Sequence, residues 1–202
     1  NTSIVLKSGA LELHVLRTGA SIQRLLVPDR QGQLADVVLG FDSEERYRDG
    51  TSPYFGAMVG RVANRIANAS FVLDGRTHTL SQNEAGFPGC LHGGKRGWDK
   101  VEWAATPTDD GSGVNLRYTS PDGEEGFPGS VSVEVGYTLS AADGENGGEL
   151  LQEVTATATR PTPVNLAQHT YFNLGGHASG SVLAHELALP TATHMPPVDG
   201  RR

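Results

Sequence analysis

Hydrophobic and polar positions alternate with a two-residue period along much of this chain. In "ALELHVLRTG" (10–19), Leu11, Leu13 and Val15 oppose Glu12, His14 and Leu16, close to the pattern of a half-buried strand. "ASIQRLLVPD" (20–29) follows Gly19 as a second strand candidate, and "DVVLGF" (36–41) predicts a fully buried one. "ASFVLDGRTHTL" (69–80) predicts a hairpin, because Asp74-Gly75 is a favoured two-residue turn between β-prone runs. The runs at 113–121, 129–140 and 149–160 predict three further strands, the last two joined by the polar, Gly-rich loop "AADGENGG" (141–148). "VLAHELALP" (182–190) predicts another strand, and only "SEERYRDG" (43–50) looks helical.

Many short strands, with 26 glycines and 11 prolines between them, predict an all-β fold, a large antiparallel β-sandwich. No repeat or linker divides the chain, so residues 1–202 are expected to form a single domain. Its hydrophobic content, 37%, is lean but still supplies a core at this length. A net charge of −7 argues against nucleic acid or an anionic membrane as the main partner and favours a neutral or weakly polar ligand. The lone cysteine, Cys90, excludes an intramolecular disulfide framework and metal sites built on paired cysteines. The scattered histidines give a metal site little support. No run approaches the ~20 apolar residues of a membrane span, and no signal peptide is legible. The first residue, Asn1, suggests a processed or trimmed start. A cytoplasmic location is expected, with secretion the alternative raised by the sequons Asn1-Thr2-Ser3 and Asn68-Ala69-Ser70.

Four stretches carry more chemistry than a sandwich needs. "YFGAMVGRVANRIANA" (54–69) places Gly56, Ala57 and Gly60 before Arg61, Asn64 and Arg65. Asn64-Arg65 could offer an amide and a guanidinium fork to sugar hydroxyls or a carboxylate; two surface arginines are the plainer reading. "CLHGGKRGWDKVEW" (90–103) sets His92 before two glycines and two tryptophans. Trp98 and Trp103 could face a sugar ring or simply fill the core. In "SPDGEEGFPGSV" (120–131), Glu124 and Glu125 are adjacent and would point to opposite faces of a strand, so paired-carboxylate chemistry is not expected from a solvated loop. "PVNLAQHTYFNLGG" (163–176) surrounds His169 with Asn165, Gln168, Thr170, Tyr171 and Asn173. On a strand, His169 shares a face with Ala167 and Tyr171. Buried polar groups are costly unless paired, so this excess suggests a polar ligand.

Taken together, "GRVANRI" (60–66), "LHGG" with "GWDKVEW" (91–103), "DGEEGFPG" (122–129) and "PVNLAQHTYFNLGG" (163–176) resemble the galactose mutarotase (aldose 1-epimerase) family, in that order and over nearly the whole chain. The resemblance implies a large β-sandwich with a sugar site on a concave sheet and no cofactor. The implied reaction interconverts the α and β anomers of free aldohexoses such as galactose and glucose. It makes His169 the candidate general acid, with His92 a second catalytic candidate. Asn64, Arg65, His92 and Tyr171 are the candidate substrate-binding residues. Trp98 stands where the family usually has Phe. The family's general-base glutamate and a substrate-binding aspartate have no counterpart here, which implies a sandwich incomplete at its C-terminal end. Two alternatives follow. One is a catalytically impaired carbohydrate-binding protein of the same fold. The other is a hexose-6-phosphate 1-epimerase relative, for which Lys95-Arg96 is the only candidate phosphate-binding pair.

Overall fold

The computed structural model describes residues 3–141 and 147–191. The first sheet comprises β1 (Ile4–Ser8), β2 (Leu11–Val15), β3 (Ile22–Pro28) and β4 (Leu34–Asp36), each antiparallel to the next. A single helical turn, α1 (Glu45–Arg48), sits where the sequence suggested a short helix. Short elements then build a loop-rich layer: β5 (Met58–Val59), β6 (Arg65–Ala67), β7 (Ser70–Leu73), β8 (Arg76–Thr79) and β9 (Gly89–Leu91). The second sheet comprises β10 (Ala104–Pro107), β11 (Gly113–Ser120), β12 (Val131–Ala141) and β13 (Gly148–Ala158), also antiparallel throughout. The two-residue β14 (Ala167–Gln168) pairs with β5.

The core lies between the two four-stranded sheets. Leu13, Val15, Ile22 and Leu25 meet Val114, Leu116, Val131, Val133, Val135, Tyr137 and Leu139 in one cluster of buried side chains. Every second residue of β12 is buried, so the period-2 pattern in the sequence is realised directly. Such alternation fixes register, because a one-residue slip would turn the apolar row to solvent. The 70–79 hairpin also forms as expected. Asp74 and Gly75 both have positive φ, 50° and 72°, as a type I′ turn requires.

Two expected strands are corrected. In 36–41, Val37 and Val38 are buried, but regular pairing ends at Asp36. Val38 makes an isolated bridge to Phe172, and the Leu39 N–H donates to the Tyr171 carbonyl. The run is apolar because it lies under 171–173, not because it sits within a sheet. Residues 182–190 form no strand and are exposed; Leu183, Leu187 and Leu189 pack on nothing in the described core. Most of the expected 141–148 loop, and the chain after Thr191, lie outside the described residues.

Trp98 and Trp103 are both buried, meeting edge to face at 6.0 Å. Gly60 makes room for this packing: a Cβ there would lie 2.5 Å from the Trp98 ring. The tryptophans therefore belong to the core, and the sugar-facing reading is withdrawn. Glu124 and Glu125 are likewise not a solvated loop. Glu124 accepts hydrogen bonds from Trp98 Nε1, the Tyr118 hydroxyl and Ser120 Oγ. Glu125 accepts from the backbone N–H groups of Lys95 and Arg96, at 3.1 and 3.0 Å. These carboxylates tie the 120–127 loop to the 94–98 segment. Cys90 is buried in a second small cluster with Ala69, Leu80 and Phe127, and burial pushes its thiol up to about 11. Among the described residues no helix is long and apolar enough to cross a membrane.

Candidate active site

Three loops converge at one end of the sandwich. The first runs from Tyr54 to Arg65, the second from Asn83 to Lys100, and the third through β14 to Asn173. Their meeting point is Tyr54. Its ring lies 4.6 Å from the His92 ring and 5.7 Å from the His169 ring. The two imidazoles are 5.1 Å apart and nearly perpendicular, at 89°. Tyr171 lies 5.1 Å beyond His169, with Phe55 5.1 Å from Tyr171. Tyr54, His92 and His169 are half-buried, while Asn64, Arg65 and Tyr171 are exposed, so the cluster opens to solvent.

Asn64 holds His92 from both sides. Its N–H donates to Nδ1 of His92 at 3.0 Å, and its carbonyl accepts the His92 N–H at 3.0 Å. An acceptor at Nδ1 fixes the neutral tautomer with its proton on Nε2. Burial, with contributions from His169, Arg65 and Lys100, lowers His92 to about 4. The ring is therefore uncharged at neutral pH and offers one N–H. Beneath it, the Asn83 side chain clamps the loop: its amide donates to the carbonyls of Leu91 and Gly94, and its oxygen accepts the Leu91 N–H at 2.7 Å.

Arg65 is paired with Glu84 through two donors, Nε to Oε2 at 2.7 Å and Nη2 to Oε1. Its Nη1 donates to Asn64 Oδ1 at 3.3 Å. The amide-guanidinium pair thus forms a fixed fork beside His92. Arg61, by contrast, is fully buried. It donates to the carbonyls of Pro121, Pro128 and Gly129, and to Thr162 and Ser120. The plainer reading of two surface arginines fails for Arg61, which is a structural cross-link among three loops.

His169 is placed by its neighbours. Its N–H donates to the Ala57 carbonyl at 2.8 Å, and its carbonyl accepts the Gly56 N–H at 3.2 Å. On the opposite face, Gln168 donates to the Tyr137 hydroxyl at 2.8 Å, Tyr137 donates to the Ala20 carbonyl, and Thr170 donates to Gln168. Asn173 is buried and bonds within its own turn, to Gly175, Ser179 and Gly180. The excess of polar side chains around His169 therefore divides. Gln168, Thr170 and Asn173 bond within the fold, while the rings of His169 and Tyr171 lie in the cluster.

Three residues of the cluster adopt left-handed backbone although none is glycine: Tyr54 (φ 65°), Asn64 (φ 61°) and His92 (φ 48°). Such conformations cost on the order of 1–2 kcal/mol each and persist where surrounding contacts impose them. The structure brings Asn64, Arg65, His92, His169 and Tyr171, the residues singled out in the sequence, together as neighbours. Sequence reasoning missed Tyr54, Asn83, Glu84, Asp99 and Lys100. The last two lie in the 3-10 turn Trp98–Lys100, inside the "GWDK" run. Lys95 and Arg96 are exposed, and their backbone N–H groups donate to Glu125.

An antiparallel β-sandwich whose loop layer gathers two imidazoles, two phenols, an amide and a guanidinium defines a protein with a candidate site for a small polar ligand. Comparison with known proteins gives that class its family: the aldose 1-epimerase model matches residues 2–200, and the chain belongs to this family. It is 47% identical over 191 residues to galactose mutarotase of Bos taurus, covering 95% of this chain and 53% of that protein. It is 35% identical to aldose 1-epimerase of Escherichia coli K12, covering 90% and 50%. Among solved structures, the GalM/aldose epimerase homologue from C. elegans superposes with a TM-score of 0.75 at 30% identity, over 85% of this chain and 51% of that one. Galactose 1-epimerase from Lactobacillus acidophilus gives 0.71 at 30% identity, over 86% and 49%. The chain spans about half the length of the curated relatives it matches.

Proposed function

We propose that this chain carries the acid and hydroxyl-binding side of an aldose 1-epimerase site for free aldohexoses such as galactose and glucose. The observation that carries the reading is the pair of imidazoles 5.1 Å apart around Tyr54, with the Asn64-Arg65 fork alongside. Anomerisation opens a hemiacetal ring, rotates the aldehyde and recloses it. The ring oxygen must gain a proton while the C1 hydroxyl loses one. His169 is the acid that protonates the ring oxygen. Neutral His92 donates its Nε2–H to a hydroxyl, Asn64 and Arg65 fix the ring's orientation, and Tyr171 borders the open side. Fixed orientation shortens the path of the proton.

No residue is assigned the base. Glu84 and Asp99, the carboxylates beside the cluster, are ion-paired to Arg65 and Lys100. Family membership and the names of the relatives support the aldose substrate class. We also take residues 1–202 as one domain, because a single buried cluster draws on strands from β1 to β12. A reducing, cytoplasmic compartment fits the lone buried cysteine.

Polarimetry of freshly dissolved α-D-galactose tests the assignment, run on the protein and on His169→Ala with near-UV circular dichroism as the check on folding. Fast equilibration that the substitution abolishes supports the acid role. Fast equilibration that survives it rejects that role. Saturable galactose binding with no acceleration by either protein favours a carbohydrate-binding protein of the same fold, the reading that the unassigned base keeps open.

A further inference from the structure

We infer that Gln168 and Tyr137 are positioning residues for His169: a buried hydrogen-bonded link from the β10–β13 sheet fixes the roll of the strand that carries this imidazole. The catalytic meaning rests on the sugar-site reading above; the geometric link does not.

β14 is only two residues long, and its ladder partner β5 is equally short. The pairing continues one residue further, where the His169 N–H donates to the Ala57 carbonyl and the His169 carbonyl accepts the Gly56 N–H. The other edge of the 56–58 segment leans on the turn before β3. There the Ile22 N–H donates to the Gly56 carbonyl at 2.8 Å, and the Met58 N–H donates to the Gly19 carbonyl at 2.9 Å. Residues 56–58 therefore lie between 19–22 and 167–169. The backbone bonds of so short a ladder fix spacing and register, but they restrain rotation about the strand axis only weakly. That rotation decides where the His169 side chain points, because neighbouring side chains on a strand point to opposite faces.

The missing restraint comes from the core. Tyr137, in β12, is fully buried, and its ring belongs to the main apolar cluster. Its hydroxyl donates to the Ala20 carbonyl at 2.8 Å and accepts from Gln168 Nε2 at 2.8 Å. One oxygen thus touches both flanks of the three-segment stack. A phenol has a single proton to give, so with Ala20 taking it the Gln168 amide must present its nitrogen. The amide oxygen then accepts from Thr170 Oγ1 at 3.1 Å. The residues on either side of His169 are in this way bonded to each other and, through Gln168, to the core. His169 is left on the opposite face, with the His92 and Tyr171 rings each 5.1 Å away. Tyr137 is a point at which the regular sheet reaches the site.

The test compares the wild type, Tyr137→Phe, Gln168→Met and the double variant, under conditions where urea unfolding shows each to be folded. Both substitutions keep the approximate shape of the side chain and remove the link. In the protein without sugar, NMR is expected to show the His169 ring signals shifted and the ring-to-ring contact of His169 with His92 weakened, while the contact of His92 with Tyr54 is kept. In polarimetry with galactose, each single variant is expected to lose about 10-fold in kcat with KM held within about two-fold, since His92 and the Asn64-Arg65 fork are untouched. The double variant should lose no more than either single one, because both remove the same link. A general loosening of the fold would neither single out His169 nor split kcat from KM. His169 ring signals unmoved in both single variants, an unchanged kcat, or losses that multiply in the double variant would overturn the proposal. Where the wild type itself fails to accelerate the reaction, the sugar-site reading fails, and the His169 ring signals alone decide the positioning role.

Discussion

The β10–β13 sheet and the loop layer above it are assembled by opposite rules. In β12 each buried residue follows from its place in an alternating row, and its backbone groups pair with β11 and β13. No residue of β11 or β12 has left-handed backbone. In the loop layer, order comes from single side chains that replace the missing ladder. Arg61 caps carbonyls from the 121–129 loop, Asn83 caps those around Leu91 and Gly94, and Glu124 and Glu125 collect donors from three side chains and two backbone amides between them. Tyr54, Asn64 and His92 all carry positive φ there. The sheet is stable because its local and global preferences agree. The loop layer holds unfavourable local conformations in place through long-range polar bonds, and that is where the candidate chemistry sits.

The contrast predicts that one polar side chain in the loop layer matters as much as a core leucine. Arg61→Ala is expected to cost about 4 kcal/mol, since it leaves several buried acceptors without a donor. Urea unfolding measures the loss, and a loss below ~1 kcal/mol would mean that the loop layer is held by packing instead. Leu116→Ala in β11 should cost about 3 kcal/mol through cavity formation, while the His92 and His169 ring signals stay as they are. Disturbed ring signals in that variant would break the separation between the two regions.

A third expectation concerns acid. His92 is held at about 4 in the folded protein, below its ordinary value of 6.5. Between these limits the unfolded chain binds the extra proton and the folded chain does not. Stability therefore falls as pH drops from about 6.5 to about 4, by on the order of 3 kcal/mol, and this contribution is flat above and below that window. Chemical denaturation of the wild type and His92→Gln across the window isolates the effect; parallel curves would contradict it. The smallest expected change is at Asn64. Glycine accepts its left-handed backbone and retains the N–H that holds His92, so Asn64→Gly should alter stability by no more than about 0.5 kcal/mol. Galactose affinity should nevertheless fall, because the amide that meets Arg65 is gone. Calorimetric titration reads the affinity, and an unchanged value would remove Asn64 from the site.

The same contrast explains what was legible in the sequence. Period-2 alternation located β11, β12 and β13, and Asp74-Gly75 announced its hairpin, because both signals are local. Residues 182–190 show a strand-like composition, but a strand also needs a partner, and none of the described strands pairs with them. The 36–41 run was misread for a related reason: apolar character records burial, not ladder pairing. The tryptophans and the two glutamates were uncertain from sequence because the bonds that join them, Trp98 to Glu124 and the Lys95 N–H to Glu125, cross between segments far apart in the chain. His92, His169, Asn64, Arg65 and Tyr171 stood out as polar residues in four unusual stretches, and family resemblance supplied their expected roles. Lys100 and Asp99 did not stand out, since nothing in "GWDK" reveals that Lys100 reaches the Tyr54 ring with Asp99 as its ion partner.

The central claim is that the two imidazoles, the Asn64-Arg65 fork and Tyr171 form one sugar-binding surface. The most direct test is to add D-galactose to the folded protein while following the His92 and His169 ring signals by NMR, with the acyclic polyol D-mannitol as control. The account predicts that both rings shift together and saturably with galactose and stay fixed with mannitol. Rings unmoved by galactose, or shifts confined to the apolar groove of Val62, Ile66 and Phe71, would contradict it.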